Sequence, residues 1–337
     1  MPPCHLQPLL PLHHLDVRRH PQSKIRNAIE GVCNLAQAWH NFTVSTSNYR
    51  GRFAPSPSGL LHAGSLATAL GSWLDARAAR GTWLVRMEDL DTPRNEPGAD
   101  QKILDQLAKF GLISDEPVVW QSKRTSLYQN ALETLIKEDL SYACRCSRKD
   151  IENQLLAMGI LRERNQELVY PGICRDLSQN VPDPHKETCA WRAKLPPNCF
   201  IDDQNLNEQV GDFVLKRADG IFSYQLAVVV DDHEQGITHI VRGADLLDNT
   251  PRQHWLQNVL GYNHPKYLHL PVVLNDQHEK LSKQTKALPV LPNSLAETLN
   301  YLDVAAHHLG LRIPSSITHL NDWLNYAITA WPNRHTA

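Results

Sequence analysis

Apolar residues recur at helical spacing within Leu60–Arg80, directly after a loop rich in Pro, Ser and Gly. The apolar face consists of Leu66, Leu70, Trp73 and Leu74. This spacing predicts an amphipathic helix that begins around His62–Ser65. A short strand is predicted before the loop at Gly51–Ala54, and the compact apolar run Thr82–Glu88 predicts a buried parallel strand after the helix. Strand, loop, helix and strand in this order favour a doubly wound, Rossmann-like α/β domain.

The other predicted elements lie on both sides of a region with a different composition. Helices are predicted at Ala99–Phe110, Ser122–Glu138, Thr250–Leu260, Ser294–Gly310 and His319–Ala330. Strands are predicted within Phe213–Asp232 and at Ile237–Gly243. Between these groups, Tyr142–Pro197 holds several Cys and Pro residues and predicts irregular structure. We interpret it as an insertion between two halves of the α/β domain.

Five segments follow from these patterns. Residues 1–49 contain five His, few acids and no amphipathic period, and we interpret them as a disordered or non-native extension. A transit-peptide or regulatory role for them is the weaker alternative. Residues 50–141 and 198–290 are the two halves of the α/β domain, residues 142–197 are the insertion, and residues 291–337 are a short helical C-terminal segment.

Composition adds few restrictions on function. The chain has 337 residues, 42% of them hydrophobic, and a formal net charge of −2, so a nucleic-acid surface would have to be a local patch. No apolar run approaches the roughly 20 residues of a membrane-spanning helix, and no secretory signal is recognisable. Seven cysteines, an odd number, point to a reducing compartment. We expect a cytoplasmic protein with no membrane partner, and a monomer.

The loop and helix start at Pro55–Ser65 (PSPSGLLHAGS) suit a phosphate or an adenosine. Gly59 and Gly64 permit close backbone approach, and the free N–H groups of the helix N-terminus attract anions. His62 could donate a hydrogen bond to a phosphate oxygen. A capped turn with a packed His is the alternative, and the loop is not a Walker A motif because GxxxxGK is absent.

A second motif, the basic segment Lys280–Gln284 (KLSKQ), lies about 220 residues further on. Its two lysines could neutralise a triphosphate as pyrophosphate leaves. Alone, a short basic loop is usually just solvated. The two motifs in this order support each other.

Three cysteines of the insertion suggest a metal site. Cys144 and Cys146 are followed after a gap by Cys174, and thiolates suit tetrahedral zinc. A fourth donor is missing from this set, and a water or His185 could supply it. The expected zinc is structural rather than catalytic.

Together the motifs carry a resemblance to a known family. From Arg50 to about Ala287 the chain resembles the glutamyl-tRNA synthetase family of class I synthetases. PSPSGLLHAGS is similar to the family's HIGH motif and KLSKQ to its KMSKS motif, and the runs RFAPSPSG, RMEDLD, VVVDDHEQGITHIVRGADLL and LPVVLNDQHEKLSKQ are similar at length. The final His of HIGH is Ser65 here and the final Ser of KMSKS is Gln284, while His62, Gly64 and Lys283 remain.

The resemblance implies the substrates and their residues. L-Glutamate would be bound by Arg52, Phe53, Ala54, Pro55, Ser56, Glu88, Tyr224 and Arg242, with Glu88 on its α-ammonium group. ATP, accompanied by Mg²⁺, would be bound by His62, Gly64 and Lys283, of which His62 and Lys283 are the catalytic residues. One structural Zn²⁺ would be held by Cys144, Cys146, Tyr170 and Cys174.

The identity of the molecule that accepts the activated glutamate is inferred least directly. Only 53 residues follow Gln284, whereas ordinary members of the family carry a large helical anticodon-binding region there. The resemblance is therefore to a shortened branch, whose members activate glutamate without tRNA and transfer it to the cyclopentene diol of queuosine in tRNA(Asp). The alternatives are a catalytic domain that charges a tRNA 3′ end, and a non-catalytic, zinc-stabilised binding paralogue.

Overall fold

A computed structural model describes residues 48–160, 168–176, 188–274 and 288–334. All of them belong to one compact unit, Thr46–Ala337. Within this part of the chain, no helix is long and apolar enough to cross a membrane. The predicted 1–49 extension is described only at its end, and there the prediction is wrong, because Tyr49 is a core residue that stacks on His239.

A five-stranded parallel sheet forms the centre of the fold. Its strands are β1 (Arg50–Phe53), β2 (Thr82–Met87), β3 (Val119–Trp120), β9 (His239–Gly243) and β10 (Lys266–Leu270), in the order β10-β9-β1-β2-β3. All four pairings are parallel. This arrangement, with helices packed on the sheet, confirms the predicted α/β class.

Helix α1 (Ala63–Ala78) follows β1 and packs on the sheet through residues such as Leu66, Leu70 and Leu74. The helices α2 (Ala99–Lys109) and α3 (Thr125–Lys137) come after β2 and β3. Near the C-terminus, α8 (Leu295–His308) and α9 (Leu320–Ala330) pack against α1. The predicted helices at these positions are thus present, with ends shifted by a few residues.

The predicted irregular insertion contains regular structure. It includes most of β4 (Ser141–Cys144), then α4 (Arg148–Ala157) and β5 (Ala190–Ala193). Strands β4 and β5 pair antiparallel with each other, and β5 pairs with β8 (Val214–Lys216). Four-residue strands are too short to show a period, and β4 and β5 are about 50 residues apart in the chain, so the sequence pattern missed them.

Three short elements follow β5, namely β6 (Phe200–Ile201), β7 (Gln204–Asn205) and α5 (Leu206–Gln209). The next element corrects a prediction, because the second part of Phe213–Asp232 is a helix, α6 (Tyr224–Glu234), rather than a strand. Ser223 caps it through its Oγ. Its apolar run lies between α3 and α7 (Thr250–Leu260) on one side and the core on the other, so it is buried all round and lacks an amphipathic period.

Candidate active site

A cavity of about 970 Å³ opens at the carboxyl ends of β1, β2 and β9, where ligands bind in open parallel sheets. Its lining includes every residue predicted for glutamate, namely Arg52, Phe53, Ala54, Pro55, Ser56, Glu88, Tyr224 and Arg242. His62 and Gly64, predicted for ATP, also line it. Lys283 and the rest of Lys280–Gln284 lie outside the described residues. Pro271, Val272 and Val273, shortly before that motif, line the same cavity.

His62 is the N-cap residue of α1. Its Nδ1 accepts a hydrogen bond from the Gly64 N–H (3.2 Å), so the neutral imidazole carries its proton on Nε2. Ser65 Oγ accepts from the His62 N–H (2.8 Å), which completes the cap. The departure from the HIGH motif at Ser65 therefore has a structural role. No acid lies in the first turn of α1, so its positive end stays available to an anion.

Gln106 connects the His62 turn to the segment around Val290, which follows the Lys280–Gln284 motif. Its Nε2 donates to the carbonyl oxygens of Leu61 (3.2 Å) and Val290 (2.7 Å), and its Oε1 accepts from the Leu61 N–H (2.9 Å). The Val290 N–H donates in turn to the Leu61 carbonyl (2.8 Å). One buried amide thus fixes both segments at the same edge of the cavity.

Arg242, at the end of β9, is buried and its guanidinium contacts only neutral partners among the described residues. It donates from Nη1 to Gln253 Oε1 (2.7 Å), from Nη2 to Thr250 Oγ1 (2.8 Å) and from Nε to His269 Nε2 (3.2 Å). Burial and the neighbouring Arg242 lower the pKa of His269, which keeps that imidazole neutral and able to accept. The Tyr267 ring lies under the guanidinium at 4.8 Å.

A second group of buried charges lies beside it. Arg52 Nε and Nη2 donate to the two carboxylate oxygens of Asp232 (2.9 and 3.2 Å). Arg86, fully buried on β2, donates from Nη1 to Asp232 Oδ1 (2.8 Å) and from Nη2 to Glu88 Oε1 (3.3 Å). Burial alone would raise the pKa of Asp232, but Arg52 and Arg86 hold it below its usual range.

The charges at this end of the cavity do not balance. The four arginines Arg52, Arg86, Arg124 and Arg242 face three carboxylates, those of Glu88, Asp231 and Asp232, which leaves one positive charge in excess. An uncompensated buried cation is costly, so the arrangement favours a ligand with net negative charge.

Tyr224, the first residue of α6, lines the cavity beside this group. Burial and the nearby Glu88 raise the pKa of its hydroxyl, which stays protonated and can donate to a carboxylate.

Four donor atoms converge in the insertion. Cys144, Cys146 and Cys174 place their sulfurs within 4.8 Å of one another. Tyr170 Oη lies 3.3 Å from Cys144 Sγ and 3.5 Å from Cys146 Sγ. Ligands at zinc distances on a tetrahedron stand about 3.6–3.8 Å apart, so three sulfurs and one phenol oxygen are compatible with Zn²⁺. The alternative fourth ligand His185 lies outside the described residues.

Several residues around the cavity were missed by the sequence predictions. Asp231 and Asp232 were placed in a strand, and Arg86 was treated as part of an apolar run. A charged residue inside such a run is itself a signal, because burial of an unpaired charge is avoided. Their partners lie more than 100 residues away in the chain, which no local pattern records.

Over residues 48–320 the chain matches the family described as tRNA synthetases class I (E and Q), catalytic domain. It belongs to that family and is an enzyme of the ligase class, which confirms the resemblance in the motifs. Its relatives include proteins named glutamyl-Q tRNA(Asp) synthetase. The one from Burkholderia orbicola (strain MC0-3) is 51% identical over 299 residues, covering 85% of this chain and 97% of the relative. The one from Ralstonia nicotianae is 49% identical over 298 residues, covering 85% and 91%.

A similar fold occurs in a solved glutamate tRNA ligase from Elizabethkingia meningosepticum, crystallised in complex with its amino acid. The TM-score is 0.68 at 26% identity. The match covers 86% of this chain and 66% of that longer chain.

Proposed function

We propose that the protein activates L-glutamate with ATP to glutamyl-adenylate and transfers the glutamate to the cyclopentene diol of queuosine in tRNA(Asp). The observation that carries the activation step is Arg242, a buried cation whose hydrogen-bond partners among the described residues are all neutral. Two of its five N–H donors have no acceptor there, and a substrate carboxylate would supply both the acceptor and the missing charge.

Glutamate matches the charges of the cavity better than glutamine does. Its two carboxylates and one ammonium group give a net charge of −1, equal and opposite to the excess positive charge of the arginine and carboxylate group around Arg52 and Arg242. Arg52 and Arg242 would receive the carboxylates, and Glu88 the ammonium group. Glutamine would leave Arg242 uncompensated, and a site built for a charged group discriminates strongly against an analogue that lacks it.

ATP would lie at the His62 turn. The N-terminus of α1 attracts phosphate, and His62 would donate from Nε2 to a phosphate oxygen as negative charge builds up. The substrate α-carboxylate attacks the α-phosphorus and pyrophosphate leaves, with Lys283 as a further cation. Mg²⁺ would enter with ATP and neutralise part of its charge. Catalysis is then positioning and charge stabilisation, with no protein nucleophile.

Zinc has a separate, structural role in this proposal. Cys144, Cys146, Tyr170 and Cys174 would hold it and thereby join β4 to the segment around residue 174. Bound zinc contributes directly to the folding free energy of such a small module.

Activation is tested by pyrophosphate exchange without tRNA, comparing the wild type with Arg242→Gln. We expect glutamate-dependent exchange in the wild type and a KM for glutamate raised at least about a hundredfold in the variant, with the KM for ATP unchanged. Because the substitution removes an uncompensated charge, it should shift the thermal midpoint of the unliganded protein by only about 2–4 °C. Exchange supported equally well by glutamine would contradict the proposal.

The acceptor is supported by the two relatives named glutamyl-Q tRNA(Asp) synthetase, which are matched over 97% and 91% of their length. The test is transfer of labelled glutamate to tRNA from queuosine-producing and queuosine-deficient cells, each with and without the 3′ adenosine. We expect label only on queuosine-containing tRNA, whether or not the 3′ end is intact. Label on queuosine-free tRNA that disappears on trimming would favour 3′-end charging instead.

A further inference from the structure

Two consecutive buried carboxylates end the apolar part of α6 and accept hydrogen bonds from different arginines, although Asp231 Oδ2 also lies 3.7 Å from Arg86 Nε. Asp232 faces the sheet, where it binds Arg52 on β1 and Arg86 on β2. Asp231 faces α3, and its carboxylate accepts from Arg124 Nε (2.6 Å). Both side chains are less than 5% exposed.

Asp232 fixes how the Arg52 guanidinium is presented. The pair is side-on and bidentate, so it occupies Nε and Nη2 and holds the guanidinium plane in one orientation. Nη1 keeps no hydrogen-bond partner among the described residues. Arg52 is 4% exposed and lines the cavity, so this remaining donor group is what it can offer to a ligand.

The same carboxylate reaches Glu88 through one intermediate. Asp232 Oδ1 accepts from Arg86 Nη1, and Arg86 Nη2 donates to Glu88 Oε1. Arg86 also donates from Nη1 to Gln235 Oε1 (2.8 Å), which limits its movement. The two carboxylate oxygens of Asp232 thereby orient both Arg52, the proposed carboxylate-binding group, and Glu88, the proposed ammonium-binding group.

We propose that Asp232 is the positioning residue of the amino-acid pocket: it orients Arg52 directly and Glu88 through Arg86, so that both meet the same glutamate. This inference rests on the proposed activation of glutamate. Asp232 does not touch the substrate in this scheme. It acts by setting the geometry of the groups that do, and misplacement of such groups by about 1 Å can change rates a hundredfold.

The chain offers a matched control for the test. Asp232→Asn and Asp231→Asn each remove one buried, arginine-paired carboxylate from adjacent positions of the same helix. Asp231 hydrogen bonds to Arg124, Gln121 and Tyr128. It makes no hydrogen bond to Arg52, and its contact with Arg86 is an ion pair at 3.7 Å without a hydrogen bond, so it holds neither guanidinium in a fixed orientation. Both variants should lose stability, but only Asp232→Asn should change the recognition of glutamate.

We would measure glutamate binding by calorimetry without ATP, and the KM values for glutamate and ATP by pyrophosphate exchange. For Asp232→Asn we expect glutamate binding weakened about 10- to 100-fold with the KM for ATP unchanged. For Asp231→Asn we expect both constants within about threefold of wild type. Equal effects of the two variants on glutamate would show a merely structural role and overturn the proposal.

A second variant covers the case in which Asp232→Asn does not fold. Asp232→Glu keeps the charge but moves the carboxylate by one methylene, so it should fold and still bind glutamate at least about fivefold more weakly. Wild-type affinity in this variant would also overturn the proposal. Absence of glutamate-dependent exchange in the wild type would instead overturn the proposed function itself, so the two failures are distinguishable.

Discussion

The pKa of Glu88, the residue that follows β2, is raised by burial and lowered by neighbouring arginines. Burial raises the pKa of its carboxyl group, and the neighbouring Arg86 and Arg52 only partly offset this, so the pKa stays above its ordinary value. Ionised Glu88 therefore destabilises the unliganded fold as the pH rises through that raised pKa. A bound ammonium group would reverse this effect by stabilising the carboxylate.

The pH dependence of glutamate recognition follows from this shift. As the pH falls through the raised pKa, Glu88 takes up a proton and no longer attracts the substrate's ammonium group. We expect the KM for glutamate to increase on acidification at pH values above the roughly 4.3 at which an ordinary glutamate side chain titrates. The measurement is pyrophosphate exchange at saturating ATP across that range.

The control for this prediction is Glu88→Gln, which cannot ionise. Its KM for glutamate should be raised throughout and nearly independent of pH in the same range. If Glu88→Gln keeps the wild-type pH profile, another group is responsible for it.

Sequence patterns predicted the residues that line the cavity but not the buried side chains that orient them. Arg52, Glu88 and Arg242 were each predicted from their motifs, and the fold brings all three to one cavity. Asp232 was missed as the partner of Arg52 because it lies 180 residues away. Its position after three valines also made it look like the end of a strand. Side-chain pairing across such separations is set by the tertiary fold and leaves no local period.

At the level of elements, α6 shows why the pattern failed. Val228, Val229 and Val230 favour a strand by intrinsic preference, which is a weak influence of at most about 1 kcal/mol. The Ser223 cap and burial on all sides outweigh it. The helices with one solvent-facing side, such as α2 and α3, were predicted correctly because their apolar period is visible.

The insertion gives a prediction at this scale. Cys146→Ser removes one of four converging donors, so we expect loss of about one equivalent of zinc per chain and a less stable β4–α4–β5 module. Metal analysis of the purified protein, with limited proteolysis of the insertion, would measure both effects.

The matched control is Cys199→Ser, a buried free cysteine outside the converging set. It should keep the wild-type zinc content. A wild-type protein purified without chelators that holds no zinc would refute the assignment of the metal.

For the whole molecule, the C-terminal residues are part of the main core. Trp331 is 1% exposed, and its Nε1 donates to Asp75 Oδ1 (2.7 Å) on α1. Asp75 also accepts from Tyr49 Oη (2.6 Å), so the two ends of the described chain meet on one carboxylate.

We expect Trp331→Ala to lower the free energy of unfolding by about 3–5 kcal/mol, because it leaves a large cavity against α1. Trp331→Phe keeps most of the packing and loses the hydrogen bond, so it should cost only about 1 kcal/mol. Denaturant unfolding measures both values. Since Trp331 is absent from the cavity lining, the KM for glutamate of either folded variant should equal that of wild type, and a changed KM would contradict this.

The strand order also bears on how the protein is made. The central strand β1 lies between β2, which is synthesised soon after it, and β9, where Gly51 pairs with His239. At about 5–20 residues per second, the ribosome needs roughly 10–40 s to deliver that second neighbour. Until then one edge of β1 has no neighbouring strand, and the charge of Arg52 has no carboxylate partner because Asp232 has not yet been synthesised. Nascent or truncated chains that end before β9 should therefore be prone to aggregate, and the active site is among the last parts of the fold to assemble.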